Sequence, residues 1–134
     1  MDPVRAALLY GAAAVPATMD GCLDRAVDVT ARGQELADTE GFATSTNSTS
    51  ATHRRLATVM RAKVLALRGD VYKARLMLLK VRDELDGDPG LEERQLAVEI
   101  GQGLVWTDDL EDARQLLGGV IARARRDAVP ALLP

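Results

Sequence analysis

Apolar residues recur at intervals of three and four along most of the chain, a spacing that places them on one face of an α-helix. One such series is Leu110, Ala113, Leu116, Leu117, Val120, Ile121 and Ala124. Another is Val71, Ala74, Met77, Leu78, Val81 and Leu85. A third series is Leu56, Val59, Met60, Lys63, Val64 and Leu67, in which Lys63 is the one polar residue. The pattern therefore predicts an all-α fold.

The pattern repeats after 39 residues. Residues 65–78 align with residues 104–117, so that apolar positions coincide, an aspartate follows the turn in both copies, and an Ala-Arg pair recurs. A weaker copy begins near residue 20. Its longer spacing is explained by residues 43–52, a run of Ser, Thr and Ala with one Asn that is predicted to be a flexible loop. Self-similarity at this period predicts stacked helical hairpins.

Each copy is predicted to be two helices joined by a tight turn, within one domain over residues 1–134. The predicted units are residues 4–37, 53–85 and 91–127, which together make about six helices. We expect Gly69 to end a helix in the left-handed conformation and Asp70 to cap the next helix.

Details near the two ends of the chain follow from the same rules. In the first unit, helices are expected over residues 4–14 and 21–37. Gly118-Gly119 is predicted to allow a neighbouring helix to approach closely. The basic residues of 123–126 are expected in the last helical turn, where the helix dipole favours cations. Residues 129–134 are expected to open a further apolar helix, so the isolated chain is predicted to associate or to have a poorly protected C-terminal end.

Composition agrees with packed helices. The chain has 21 Ala and 19 Leu but only four aromatic residues, a balance that favours helices over sheets. The net charge of -3 argues against a nucleic-acid-binding surface. No apolar stretch approaches the roughly 18 residues that a membrane helix needs, and the N-terminus lacks a signal peptide's features. We therefore expect a cytoplasmic protein without membrane or direct nucleic-acid contact.

The turn at residues 69–74, Gly-Asp-Val-Tyr-Lys-Ala, resembles the inter-helix turn of tetratricopeptide repeats. Ala62 and Gly101 match the small position of that repeat's first helix. The chain departs from the pattern at Arg61, where leucine is usual, and in lacking the closing proline. The resemblance implies a right-handed α-solenoid of antiparallel hairpins whose role is protein–protein interaction.

Residues 101–114, 122–125 and 129–134 are similar to the helical repeat region of large ATP-binding transcription regulators of the LuxR family. Those regulators place an ATPase domain before the repeats and a DNA-binding helix-turn-helix after them. The resemblance implies that this chain is the middle piece of such a protein, found in bacteria. No Gly-rich phosphate-binding loop ending in Gly-Lys-Ser or Gly-Lys-Thr occurs in the chain.

Candidate chemistry is sparse. The single His53 and the single Cys22 do not form a catalytic set or a metal site, so the chain is predicted to be non-catalytic and to need no cofactor. Trp106 is expected to be a packing residue at the end of a hairpin. Five residues of the first helices are the predicted partner-binding groove: Arg54, Arg55, Arg61, Arg94 and Glu99.

Three functions fit these observations to different degrees. The first is a segment that binds a protein, a peptide or another domain of its own polypeptide, or senses an effector. The second is a free-standing adaptor or a homodimeric scaffold. The third, a small DNA-binding protein, is disfavoured because the most basic helix, residues 54–68, carries the apolar residues of a buried helix.

Overall fold

The computed structural model describes residues 13, 19–38, 48–85 and 91–132, and within these ranges every regular element is an α-helix. The all-α class predicted from the apolar spacing is confirmed. Apart from residue 13, which is helical, the helix expected over residues 4–14 lies outside the described residues. The described part of the chain holds five helices: α1 (Leu23–Ala37), α2 (Ser48–Arg68), α3 (Val71–Asp83), α4 (Leu91–Trp106) and α5 (Leu110–Leu132).

Helix α2 begins earlier than predicted. It starts at Ser48, whereas the second unit was expected to start at residue 53, so the flexible loop predicted over residues 43–52 is wrong for residues 48–52. Ser and Thr are weak helix formers, but Thr52 is buried, and packing of this turn outweighs propensity. His53 and the two arginines after it therefore lie in the second turn of α2 and not at a helix start.

Helix α5 ends later than predicted. It continues to Leu132, past the expected end at residue 127, so the missing hydrogen bond at Pro130 does not stop it. Residues 129–132 extend α5, and the further helix expected to open there is wrong. The basic residues at 123–126 lie in the interior of α5, because its last turn contains no basic residue.

The helices pack around α2, which contacts α1, α3 and α4, while α4 also contacts α3 and α5. One apolar cluster extends from α2 to α5, and burying each of its large side chains contributes about 1.5–3 kcal/mol. Its members are Val59, Ala62, Leu65, Ala74, Leu78, Val81, Leu96, Ile100, Leu104 and Ala113. Each predicted helix of the second and third units contributes its apolar face to this cluster.

The turn between α2 and α3 is closed by backbone hydrogen bonds. Gly69 has a φ of 101°, its N–H donates to the Ala66 carbonyl at 3.1 Å, and the Asp70 N–H donates to the Leu65 carbonyl at 2.8 Å. These two bonds define a left-handed helix terminus of the Schellman type. The prediction for Gly69 is confirmed. Asp70 occupies the N-cap position of α3, but its side chain makes no capping hydrogen bond, so that part of the prediction is wrong.

The turn between α4 and α5 has the same construction. Asp108 has a φ of 63°, its N–H donates to the Val105 carbonyl at 3.2 Å, and the Asp109 N–H donates to the Leu104 carbonyl at 2.9 Å. Each of these residues lies 39 positions after its counterpart in the first turn. The repeat found in the sequence is therefore a repeat of backbone geometry.

Glycines of α4 allow its neighbours to approach closely. A β-carbon at Gly101 would lie 2.6 Å from Cδ2 of Leu117 in α5, and Gly103 faces Leu78 of α3. Gly101 thus fulfils the small position that the repeat pattern assigned to it. The close approach predicted at Gly118-Gly119 is wrong, because no atom lies within 4 Å of a β-carbon built at either position and both residues are exposed.

Candidate partner-binding surface

The five residues predicted to line a groove lie on α2 and α4, but the structure distributes four of them over separate helix junctions. Arg54 is exposed on α2. Nε of the next residue, Arg55, donates to Oε2 of Glu84 at 3.3 Å, just beyond the end of α3. This side chain therefore ties α2 to the end of its hairpin partner.

Two other predicted arginines also bind neighbouring helices. Nη1 of Arg61 donates to Oε1 of Gln34 in α1 at 2.6 Å, and Gln34 in turn donates to Thr58 of α2 at 3.3 Å. Arg94 of α4 donates to the carboxylate of Asp127 in α5. These contacts hold helices together, and they do not direct the arginines toward one common groove.

Glu99 is part of a polar cluster around the buried Lys63, between α2 and α4. Nζ of Lys63 donates to Oε2 of Glu99 and to Oε1 of Gln102, each at 2.5 Å. The same ammonium group lies 5.0 Å from the centre of the Trp106 ring, where a cation–π attraction is expected. Lys63 is only 7% exposed, so these partners compensate a cation removed from water.

The exposed side of α4 is a narrow, neutral stripe. Between residues 93 and 105, four residues are exposed, and their spacing of three, four and three places them on one helix face. We call them the outer face of α4: Gln95, Val98, Gln102 and Val105. Val98 and Val105 are each 46% exposed, and the adjoining Trp106 is 39% exposed.

The chemistry of this face suits association and not proton transfer. It carries two valines that gain by leaving water and two glutamine amides, of which Gln102 already accepts a hydrogen bond from Lys63 through Oε1. Sequence reasoning did not select these four residues. The sequence did contain a signal for them. The 39-residue repeat aligns these four residues with residues 56, 59, 63 and 66 of α2, where Lys63 is a polar residue on an apolar face. Trp106, expected to be a packing residue, combines contact with Lys63 and partial exposure.

Ion pairs shift several pKa values. The hydrogen bond from Arg94 lowers the pKa of Asp127, and the charges of Arg94 and other nearby arginines lower it further. The hydrogen bond from Arg114 lowers the pKa of Glu111, which lies one turn earlier on α5. Both shifts keep a carboxylate ionised, as structural ion pairs do.

The described ranges hold neither a metal-ligand cluster nor a membrane-spanning helix. No group of three or more His, Cys, Asp or Glu residues there is arranged to hold a metal ion. None of the helices in the described part of the chain combines the length and the apolar character needed to cross a membrane.

Comparisons of the chain with protein-family models, with curated protein sequences and with solved structures found no match. The resemblances to tetratricopeptide repeats and to LuxR-family regulators therefore remain predictions from residues of the chain. The geometry itself defines a set of packed helical hairpins with an exposed neutral face on α4.

Proposed function

We propose that the chain is a non-catalytic helical-repeat segment that binds another protein or senses an effector. We further propose that its hairpins stack as a right-handed tetratricopeptide-like solenoid of about six helices. The observation that carries this proposal is the repeated turn, in which Gly69 and Asp108 end their helices with equivalent hydrogen bonds. The contact of α4 with both α2 and α3 supports it, because each hairpin of a solenoid packs on the one before it.

The setting we propose is a LuxR-type ATP-binding transcription regulator. Residues 101–114, 122–125 and 129–134 support it by their similarity to the repeat region of that family. In such a protein the partner is a peptide, a separate protein or another domain of the same polypeptide. A repeat segment serves this role by offering an extended surface built from successive first helices.

The outer face of α4 is the surface we propose for that partner. Its valines would bury apolar area on binding, and a partly exposed tryptophan such as Trp106 is typical of residues that dominate binding energy. Arg55, Arg61 and Arg94 are less suited, because a partner would have to replace the hydrogen bonds that they make between helices.

Site-specific photo-crosslinking in the cells that produce the protein tests this function. A photoreactive phenylalanine derivative is placed at Val105 on the outer face of α4 and, as the matched control, at Leu76 of α3, which is 51% exposed. We expect a defined crosslinked protein at residue 105 that is absent at residue 76. Equal yields at both positions, or no crosslink from residue 105 either to another protein or within its own polypeptide, would contradict the proposal.

The alternative function is a free-standing adaptor or homodimeric scaffold. The absence of charge on the outer face of α4 favours it, because two copies of this face can meet without repulsion. Light scattering separates the possibilities. A dimer that Val98→Glu converts to a monomer supports the scaffold, whereas a monomer at all concentrations contradicts it.

A further inference from the structure

We infer that the outer face of α4 is the docking surface for a further helical hairpin whose chemistry matches residues 91–132. In this arrangement the first helix of the incoming hairpin lies on α4 as α4 lies on α2. The inference rests on the proposed repeat function and specifies the class of partner. It follows from three comparisons between equivalent residues of the two described hairpins.

The first comparison concerns the first helices. The 39-residue repeat aligns residues 95, 98, 102 and 105 with residues 56, 59, 63 and 66 of α2. In α2, Lys63 of this face donates hydrogen bonds to Glu99 and Gln102 of α4, and Val59 is 0% exposed. Its counterpart Val98 is 46% exposed. The same positions thus form a filled interface in one hairpin and an open interface in the next.

The second comparison concerns the second helices. Leu78 of α3 is fully buried and lies against Gly103 of the following hairpin. Its counterpart Leu117 of α5 lies against Gly101 of its own hairpin and is only partly buried. The open side of α5 therefore adjoins the open face of α4, which gives a docking hairpin contacts with both helices.

The third comparison concerns charge. Nε of Arg75 in α3 binds Oδ1 of Asp109 at 2.8 Å, and Asp109 lies at the start of the next hairpin's second helix. The counterpart of Arg75 is Arg114, whose side chain is 76% exposed and binds Glu111 within its own helix. Arg114 is thus in place to bind an acidic residue at the start of the second helix of an incoming hairpin.

These comparisons define the partner's chemistry. Its first helix is amphipathic, with a glycine or alanine opposite Leu117 and with no charge opposite Gln102, because Gln102 replaces Lys63 in the repeat. Its second helix begins with Asp or Glu opposite Arg114. A strongly acidic peptide does not fit, because the four residues of the outer face of α4 are uncharged and the adjoining cation, Lys63, already binds Glu99 and Gln102.

A chain extended by one hairpin tests the inference. Residues 1–124 are followed by a second copy of residues 86–132, which preserves the 39-residue period. If the hairpin docks, we expect one unfolding transition with a higher urea midpoint than that of the parent chain. Amide exchange in the first α4 should slow by about tenfold or more, since nearest-neighbour contacts stabilise stacked repeats.

Variants of both chains identify the surface. Val98→Glu in the first α4 should abolish the gain in midpoint of the extended chain and leave the parent nearly unchanged, because Val98 is exposed in the parent. Leu76→Glu, the control of similar exposure on α3, should leave the gain intact.

Failure of the docking inference is distinguishable from failure of the proposed function. If the extended chain has the parent's midpoint and the parent's exchange in α4, the docking inference is overturned. It is also overturned if the parent forms dimers that Val98→Glu dissociates, because a second copy is then the occupant. Gly103→Leu in the parent tests the stacking itself, and an unchanged midpoint there would overturn both proposals.

Discussion

Gly103 of α4 lies directly against Leu78 of α3. A β-carbon at residue 103 would be 2.9 Å from both methyl carbons of Leu78 and 3.3 Å from Cγ of Lys63. Carbon atoms pack at about 3.5–4.0 Å, so only glycine allows α4 to reach this depth between α2 and α3. The contact joins the two hairpins, because Leu78 belongs to the first and Gly103 to the second.

Replacing this glycine tests how tightly the hairpins pack. Alanine raises helix propensity by about 1 kcal/mol at an interior position, so Gly118→Ala, which meets no atom within 4 Å, should stabilise the protein by that amount. Gly103→Ala adds an overpacking cost of about 1–3 kcal/mol against the buried Leu78. Urea unfolding should therefore show Gly103→Ala to be less stable than Gly118→Ala by that cost. Equal gains for the two variants would contradict the close contact.

Asp108 has a left-handed backbone conformation, so glycine at this position should stabilise the turn between α4 and α5. This conformation costs a residue with a side chain roughly 1–2 kcal/mol. Glycine avoids that cost, but it loses more conformational entropy on folding, which cancels part of the gain. We expect Asp108→Gly to raise the free energy of unfolding by about 0.5–1 kcal/mol. The reciprocal variant Gly69→Ala should lower it by about 1 kcal/mol or more, because Gly69 has a φ of 101°. Thermal unfolding of both variants gives the measurement, and a loss of stability in Asp108→Gly would contradict the turn's geometry.

Much of the fold follows from short-range rules. Apolar spacing identified the helices because burial of one face is what stabilises them, and Gly69 identified a turn because few other residues adopt its conformation. The 39-residue repeat located the second turn even though Asp108 replaces glycine there. The start of α2 and the end of α5 were missed, because the burial of Thr52 is a tertiary effect that propensity does not reveal and because Pro130 does not end α5.

The candidate site was less predictable. Arg55, Arg61 and Arg94 were expected to line a groove, but a long cationic side chain binds whichever acceptor a neighbouring helix brings within reach. Helix spacing alone does not reveal that acceptor. Lys63 shows the same limit, since its position on an apolar face was evident but its two acceptors on α4, Glu99 and Gln102, depend on the stacking of the hairpins.

The buried ammonium group of Lys63 gives a test of that stacking. Lys63→Met leaves Glu99 and Gln102 without their donor, and because the Glu99 side chain is 32% exposed we expect a moderate loss of about 1–3 kcal/mol. Replacing Glu99 by Met as well should restore most of this loss, since a pair of apolar residues is often as stable as a buried ion pair. Unfolding followed by the fluorescence of Trp106, the single tryptophan, measures both.

Controls for this prediction come from the surface. Lys80→Met removes an exposed lysine of α3 and should change stability by no more than about 0.5 kcal/mol. If the losses of Lys63→Met and Glu99→Met simply add in the double variant, the two side chains are not coupled and the polar cluster is incorrect.

The ion pair between Arg94 and Asp127 predicts how acid weakens the contact between α4 and α5. The hydrogen bond from Arg94 lowers the pKa of Asp127 in the folded protein. The stability that this pair contributes is therefore fully present above the ordinary pKa of an aspartate, and it is lost as the pH falls through the lowered pKa. Arg94→Gln should raise the pKa of Asp127 toward its ordinary value and reduce the loss of stability on acidification.

Carboxyl carbon NMR titration measures these pKa values residue by residue, and Arg114→Gln is the matched control. It also removes one arginine, but its partner is Glu111, whose pKa is lowered by the Arg114 hydrogen bond. Arg94→Gln should shift the titration of Asp127 and leave that of Glu111 in place, whereas Arg114→Gln should do the reverse. A titration of Asp127 that does not respond to Arg94→Gln would mean that α5 does not return alongside the start of α4, because this contact joins residues 33 positions apart in the chain.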